Sequence, residues 1–329
     1  MTRARRLPAE PPAEAVSAPT PPRIPTPLHP ALLDEVRRYA GHALLLSGPA
    51  RMGKRELALN IAALQNCSQP DAPCGECSSC RAMRAGAHPD LLMVAPRTTT
   101  EKGKVSRKQL IPIKAIHAGH DPKPHEYEQH VYQFVEVRAS YRRRVVLIDG
   151  AEFLNIYAAN TLLKLVEEPP HGALFLFLTE DEGLVIPTIV SRCARLAVRP
   201  LPDPELRRLE ALAGRDPAPE LLELAQGRPG VLLAAEAVGE ALEGARTLTA
   251  AVREGMLPAL EAAAELEKRF DPQWHPQALR FVWRGEAPTV RARADLALER
   301  TLTALESYAN PGLTFQLLAL ELRAAFGEG

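Results

Sequence analysis

The sequence predicts an α/β fold: a P-loop domain built on a parallel sheet and carrying a cysteine knuckle, then a small helical domain, then a C-terminal helical domain. Three observations carry that reading. Short apolar runs alternate with helical stretches between residues 43 and 178, the pattern of a parallel sheet with crossover helices. A glycine-rich segment, Gly48-Pro-Ala-Arg-Met-Gly53-Lys54-Arg55, lies between the first apolar run and a helix. Beyond Pro200, Pro202 and Pro204 no strong strand pattern appears, and Ala, Leu and Glu dominate.

In chain order, residues 1–26 are rich in Pro, Ala and Arg and read as a disordered tail. Pro30 to Ala40 reads as a first helix. Ala43-Leu44-Leu45-Leu46 is the first buried strand, and Arg55 to Ala62 a helix. Gly48, Gly53 and Lys54 fit the phosphate-binding pattern G-x-x-x-x-G-K-[ST]. Such glycines let backbone N–H groups close around an anion, with the positive end of a helix behind them. Arg55 stands where a Ser or Thr hydroxyl would ligate magnesium. Two readings of Arg55 stay open: its charge supports phosphate binding, or its side chain fills the site and blocks ATP or ADP.

Four of the five cysteines, Cys67, Cys74, Cys77 and Cys80, fall in a C-x6-C-x2-C-x2-C cluster. In a cytosolic chain this spacing favours a metal over disulfides. Four thiolates suit a closed, structural zinc site. Leu91-Leu92-Met93-Val94 is a second strand. Residues 97–126 lose apolar periodicity and read as an insertion or long loop; His117, His120 and His125 fall there without metal-ligand spacing.

Val131 to Ala139 reads as a helix ending near Arg142-Arg143-Arg144, a basic run expected at a helix-to-strand turn rather than on DNA. Val145-Val146-Leu147-Ile148-Asp149 is a buried strand that presents an acid at the magnesium side of a nucleotide. The next position, often a second acid, is Gly150; Glu152 is the nearest carboxylate. Ala158 to Glu168 reads as a helix with Leu162, Leu163 and Val166 on one face, stopped by Pro169-Pro170. Leu174 to Leu178 is another buried strand; Thr179 at its end stands where a γ-phosphate sensor would, although a Thr there is also ordinary. Gly227-Arg228-Pro229-Gly230 interrupts the first helical block after residue 205.

Lys+Arg and Asp+Glu both number 40, so the net charge is zero, and DNA contact would have to come from a local patch or from partners. No apolar run approaches the length of a membrane span, and no N-terminal apolar segment reads as a secretory signal. A cytoplasmic protein is expected.

The order of these motifs, with Asn160-Thr-Leu-Leu-Lys164-Leu-Val-Glu-Glu-Pro-Pro170 and Ser191-Arg192-Cys193, resembles the bacterial clamp-loader AAA+ subunits of DNA polymerase III, and among them the delta prime type. The resemblance covers roughly residues 27–240. It implies an AAA+ domain over 27–200 with a zinc knuckle at 67–80, a helical lid over 201–240 and a helical collar over 241–329. Motor subunits of that family keep the P-loop Ser or Thr, an acid after the strand Asp, and a lid Arg in Gly-x-x-Arg. This chain has Arg55, Gly150 and Gly230 at those places, so the resemblance implies no ATPase of its own. It also implies that Arg192 is an arginine finger reaching the ATP of a neighbouring subunit. A planar guanidinium suits phosphate oxygens; the alternative is an Arg paired with a local acid. The implied partners are the delta and gamma/tau subunits and, through the assembly, the sliding clamp and primed DNA. Cys193 reads as a small packed residue rather than a nucleophile. Other readings are an active gamma/tau-like motor and a P-loop nucleotide kinase; the latter leaves the knuckle and the helical C-terminal part unexplained.

Overall fold

A computed structural model describes residues 29–37, 39–99, 105–117, 119, 129–209, 217–307 and 309–327. The tail at 1–26, His120 and His125 lie outside the described residues.

The N-terminal part is a five-stranded parallel sheet. Helix α1 (Pro30–Arg37) precedes β1 (Ala43–Ser47), which the glycine loop joins to α2 (Lys54–Asn66). Helix α3 (Ser78–Arg84) closes the cysteine knuckle and leads to β2 (Leu91–Val94). β3 (Arg97–Thr99) and β4 (Val105–Leu110) pair antiparallel. After α4 (Ile113–Ile116) and α5 (Val131–Glu136) come β5 (Val145–Asp149), α6 (Ile156–Glu167), β6 (Leu174–Thr179), α7 (Pro187–Val190) and β7 (Ala194–Ala197). The order across the sheet is β2-β5-β6-β1-β7. β1, β5 and β6 are central and buried along almost their whole length, which is why they read as unbroken apolar runs.

The two faces of the sheet carry separate cores. Leu44, Leu46, Val145, Leu147, Leu174 and Leu176 pack towards α1, α2 and the knuckle. Ala43, Leu45, Val146, Ile148, Phe175 and Phe177 pack towards α4, α5, α6 and α7. The period-two alternation of each strand divides its residues between the two.

The sequence expectation needs four corrections. β7 is a fifth strand: it sits at the edge with only Leu196 buried, so it carries no apolar run. Residues 97–126 are not simply a loop: their described part holds the β3–β4 hairpin and α4, with Ile111, Ala115 and Ile116 fully buried. The α5 helix stops at Glu136 rather than Ala139, because the amides of Ser140 and Tyr141 bond to the buried Asp90 carboxylate at 2.8 and 2.7 Å. α6 begins at Ile156 because the Asn155 side chain caps it, accepting from the Ala158 amide at 2.7 Å.

The rest of the described chain is helical: α8 (Asp203–Arg208), α9 (Pro219–Ala225), α10 (Pro229–Leu233), α11 (Ala235–Glu254), α12 (Met256–Arg269), α13 (His275–Val282), α14 (Pro288–Glu306) and α15 (Pro311–Gly327). One core runs through them, from Leu206 to Leu322, around the fully buried Trp283, whose indole N–H donates to Thr249 Oγ1 at 3.0 Å. α11 passes through position 240, so the helices on either side of it share that core. Among the described residues no helix is long and apolar enough to cross a membrane.

Candidate functional site

The glycine loop connects the end of β1 to the start of α2, and its backbone explains its glycines. Gly53, at φ 81°, precedes the first helical residue, Lys54; that left-handed geometry favours glycine. A Cβ on Gly48 would lie 2.3 Å from the Val198 carbonyl oxygen, just past β7. The loop borders an open cleft of about 860 Å³. Gly53, Lys54, Arg55, Asp149, Glu152 and Thr179 line it.

The cations of this cleft are occupied by the chain itself. Lys54 Nζ donates to the carbonyls of Gly48 at 2.5 Å and Pro49 at 2.8 Å. Burial lowers its pKa, against the attraction of Glu180, Glu152 and Asp149. Arg55 Nε donates to Asp149 Oδ2 at 2.7 Å, and Arg55 Nη2 contacts the same oxygen. The residue in the Ser/Thr position of the loop is thus paired with the strand acid; in a metal-dependent P-loop these two positions hold a magnesium ion. Glu152 lies on a short 3-10 turn (Ala151–Phe153), with one carboxylate oxygen buried and without a hydrogen-bond partner. Thr179 is buried, and its hydroxyl donates to the Asp181 carbonyl at 2.9 Å, closing its own turn instead of facing the cleft as a free donor.

Sequence reading missed the residue that ties the cleft to the helical part. Arg51, at φ 65°, accepts the Gly230 amide on its carbonyl at 2.9 Å. Its guanidinium stacks 4.5 Å from the ring centre of Trp274, and its Nη2 contacts Gln273. A Cβ on Gly230 would lie 2.8 Å from the Arg51 carbonyl oxygen. The position matching a lid arginine is therefore pressed against the loop backbone. On the other side His29 Nε2 bonds to the Met52 carbonyl at 2.6 Å. Nothing in the local pattern around residue 51 announces partners more than two hundred positions away.

Arg192 lies outside this cleft, on the exposed turn between α7 and β7. Its Nε donates to Glu167 Oε1 at 2.5 Å and its Nη2 contacts the same carboxylate. Nη1 donates to the Thr188 carbonyl at 3.0 Å. Beside it, burial pushes the Cys193 thiol up to about 12, which leaves it protonated and unreactive near neutral pH.

The four knuckle cysteines converge: their sulfurs all lie within 4.8 Å of one another. Backbone amides point at the sulfurs, Cys74 N to Cys67 Sγ at 3.4 Å, Cys77 N to Cys74 Sγ at 3.3 Å and Cys80 N to Cys77 Sγ at 3.4 Å. Burial raises the Cys77 thiol, but the Cys80 and Ser68 amides outweigh it and bring it down to about 6; burial pushes Cys80 up to about 12. A tetrahedral thiolate site spaces its sulfurs by about 3.8 Å, and Cys77 and Cys67 stand 3.9 Å apart. The cluster has the donor set and the spacing to hold a metal ion. His88 Nδ1 accepts the Asp90 amide at 3.1 Å, which puts the ring proton on Nε2, 3.0 Å from Ser79 Oγ, and ties α3 to the sheet.

The arginine run is structural. Arg142 Nη1 donates to the Cys67 carbonyl at 2.7 Å. Arg143 reaches the carbonyls of Gly172 and Gly41. Arg144 is buried, 3.5 Å from the fully buried Asp90 and stacked on Phe134. His117 packs edge-on against Tyr132.

Comparison with known proteins places this architecture. Residues 37–202 match the family described as "DNA polymerase III, delta subunit". DNA polymerase III subunit delta' of Pseudomonas aeruginosa is 34% identical over 75% of this chain and 70% of its own length. The delta' subunit of Escherichia coli is 31% identical over 59% of this chain and 54% of its own. The gamma/tau subunit of Mycobacterium tuberculosis is 34% identical over 52% of this chain, but only 26% of its own length is matched. A solved structure, a DNA polymerase III gamma subunit-related protein from Thermotoga maritima, shares the fold: TM-score 0.54 at 19% identity, covering 91% of this chain and all of that one. The chain belongs to the DNA polymerase III delta prime subunit family, within the clamp-loader AAA+ proteins of DNA replication.

Proposed function

We propose that this chain is the non-hydrolysing delta prime member of a bacterial replicative clamp loader. It offers Arg192 in trans to ATP held by a neighbouring gamma/tau subunit, in an assembly that also contains delta. That assembly loads the sliding clamp onto primed DNA. The observation that carries the non-hydrolysing part is the Arg55–Asp149 pair, which engages the acid that would otherwise be free to ligate a metal ion. Gly150 in place of an acid, and Gly230 pressed onto Arg51, support the same reading. Arg192 is exposed and outside the chain's own cleft, as a residue serving a neighbour's site needs to be.

In this reading Cys67, Cys74, Cys77 and Cys80 hold a structural zinc ion that fixes the knuckle between α2 and α3. Residues 27–200 act as the AAA+ domain, 201–240 as the lid and 241–329 as the collar. In this division the boundary at 240/241 falls within α11 (Ala235–Glu254). The protein works in the cytoplasm.

The test is DNA-stimulated ATP hydrolysis by the reconstituted loader. Arg192→Ala should lower it by about 10³-fold or more at the one site served, if the finger has the usual worth. In a multi-site ring the total rate then falls by that site's share, with assembly intact. An unchanged rate would remove the finger from the reading. The buried, unbonded oxygen of Glu152 is the one observation favouring a second reading, an active motor using Glu152 in place of the missing acid. Hydrolysis by the isolated chain, abolished by Lys54→Ala, would establish that reading instead.

A further inference from the structure

A guanidinium that must meet a partner's phosphate needs somewhere to rest in its absence, and Arg192 has such a place. Glu167 is the last residue of α6, and Arg192 follows α7. Nε and Nη2 of Arg192 both reach Glu167 Oε1, while Nη1 is held by the Thr188 carbonyl. All three nitrogens are therefore engaged within the chain. Two N–H groups on one edge of the guanidinium converge on a single carboxylate oxygen, and that edge can equally meet a phosphate oxygen. The side chains are 36% and 47% exposed, so the pair is weak and open to exchange. Thr188 is part of α7 itself and constrains the guanidinium through Nη1; Glu167 is the anionic partner.

Resting on the trans-acting role of Arg192, we infer that Glu167 is the positioning residue of the finger. Its carboxylate holds the guanidinium in the resting state and gives it up to the terminal phosphate of the neighbour's ATP. No bond is made or broken in the exchange; one oxyanion replaces another on the same two N–H groups. Release of the carboxylate is then a cost that the neighbour's nucleotide must overcome before the finger engages. Removing that carboxylate charge should favour engagement.

The experiment is steady-state ATP hydrolysis by the reconstituted loader with wild type, Glu167→Gln, Glu167→Asp, Arg192→Ala and the double variant Arg192→Ala/Glu167→Gln. The expected result for Glu167→Gln is a rise of about 2- to 5-fold in hydrolysis without DNA, the scale of an exposed ion pair, with a lower KM for ATP and little change in the DNA-stimulated kcat. Glu167→Asp should return the values towards wild type. In the Arg192→Ala background Glu167→Gln should have no effect, because the two act as one unit. A Glu167→Gln effect that persists without Arg192 would mean general repulsion of ATP and would overturn the proposal. A fall in DNA-stimulated kcat, or no change at all in Glu167→Gln, would overturn it too. If Arg192→Ala alone is silent, the finger reading fails, which is a separate result.

Discussion

Arg55 Nε donates to Asp149 Oδ2 at 2.7 Å, so the guanidinium of the first turn of α2 is tied to the acid at the end of β5. In a metal-dependent P-loop these two positions share a magnesium ion. Here one positive charge stands in for the other. The pair predicts that magnesium gives this chain no gain in ATP binding. Arg55→Thr frees Asp149 and supplies the missing hydroxyl. Calorimetric titration of the variant with ATP should show an affinity that rises by about 10-fold when magnesium replaces EDTA, a difference of roughly 1.4 kcal/mol. An equally magnesium-dependent wild type would show that Arg55 leaves the metal position open.

The Arg51 contact makes a second prediction. Its guanidinium over Trp274 and its carbonyl on the Gly230 amide are the points at which the glycine loop touches α10 and the turn before α13. Arg51→Ala removes the stacking, worth about 0.5–2 kcal/mol, and leaves the backbone bond. Hydrogen exchange should quicken at residues 271–277 and in the loop, while the strands of the sheet stay protected. Exchange unchanged at those residues would mean that the shared core of the helices, and not Arg51, sets their position.

These two residues also mark where sequence reading stops. β1, β5 and β6 are legible because a strand buried on both faces is apolar at every position, as Leu174-Phe-Leu-Phe-Leu178 shows; β2, at one edge and part-buried before Val94, is still legible as the run Leu91-Leu92-Met93-Val94. β7 is not legible, because its Ala194, Arg195 and Ala197 are exposed and leave no apolar run to see. The β3–β4 hairpin is hidden because the sequences Arg97-Thr-Thr99 and Val105-Ser-Arg-Lys-Gln-Leu110 contain no apolar run. In the cleft, spacing identifies Arg55 as a departure, but its partner lies 94 residues away, and only the pairing of β5 beside β6 and β1 brings Asp149 to it. Glu167 falls within the Asn160–Pro170 motif, but nothing in that motif announces Arg192 as its partner, and Trp274 has no local signature; each acquires its contact from the fold.

The knuckle predicts a metal-dependent local fold. The native chain should carry one equivalent of zinc, measured by atomic absorption after dialysis, and Cys77→Ser should lose it. Because Cys67 closes α2 and Cys80 lies inside α3, loss of the metal should loosen α3 and the end of α2 together. Structural zinc sites contribute folding free energy directly, so a chelator should lower Tm in wild type and leave Cys77→Ser unaffected. A metal-free chain with the same Tm as the loaded one would dispose of the structural role.

Reinstating the motor residues should damage this chain rather than revive it. Gly150 sits at φ 86°, and a Cβ there would meet Phe153 Cδ2 at 2.6 Å. Gly150→Glu therefore forces a left-handed backbone and a clash within the 3-10 turn, at a cost of about 1–3 kcal/mol. At Gly230 the obstacle is the Arg51 carbonyl, 2.8 Å from where a Cβ would stand, with Arg51 Cβ and Cα at 3.1 and 3.2 Å. Gly230→Arg must push α10 off the glycine loop, breaking the 2.9 Å bond from its own amide. Both variants should unfold at lower denaturant than wild type, and Gly230→Arg should also raise exchange in the loop. Neither should gain hydrolysis, even combined with Arg55→Thr. The reason is geometric: the Phe153 ring at Gly150 and the Arg51 backbone at Gly230 fill the space that a side chain needs. A stable triple variant that hydrolyses ATP would show instead that the cleft is a motor site lacking only its side chains.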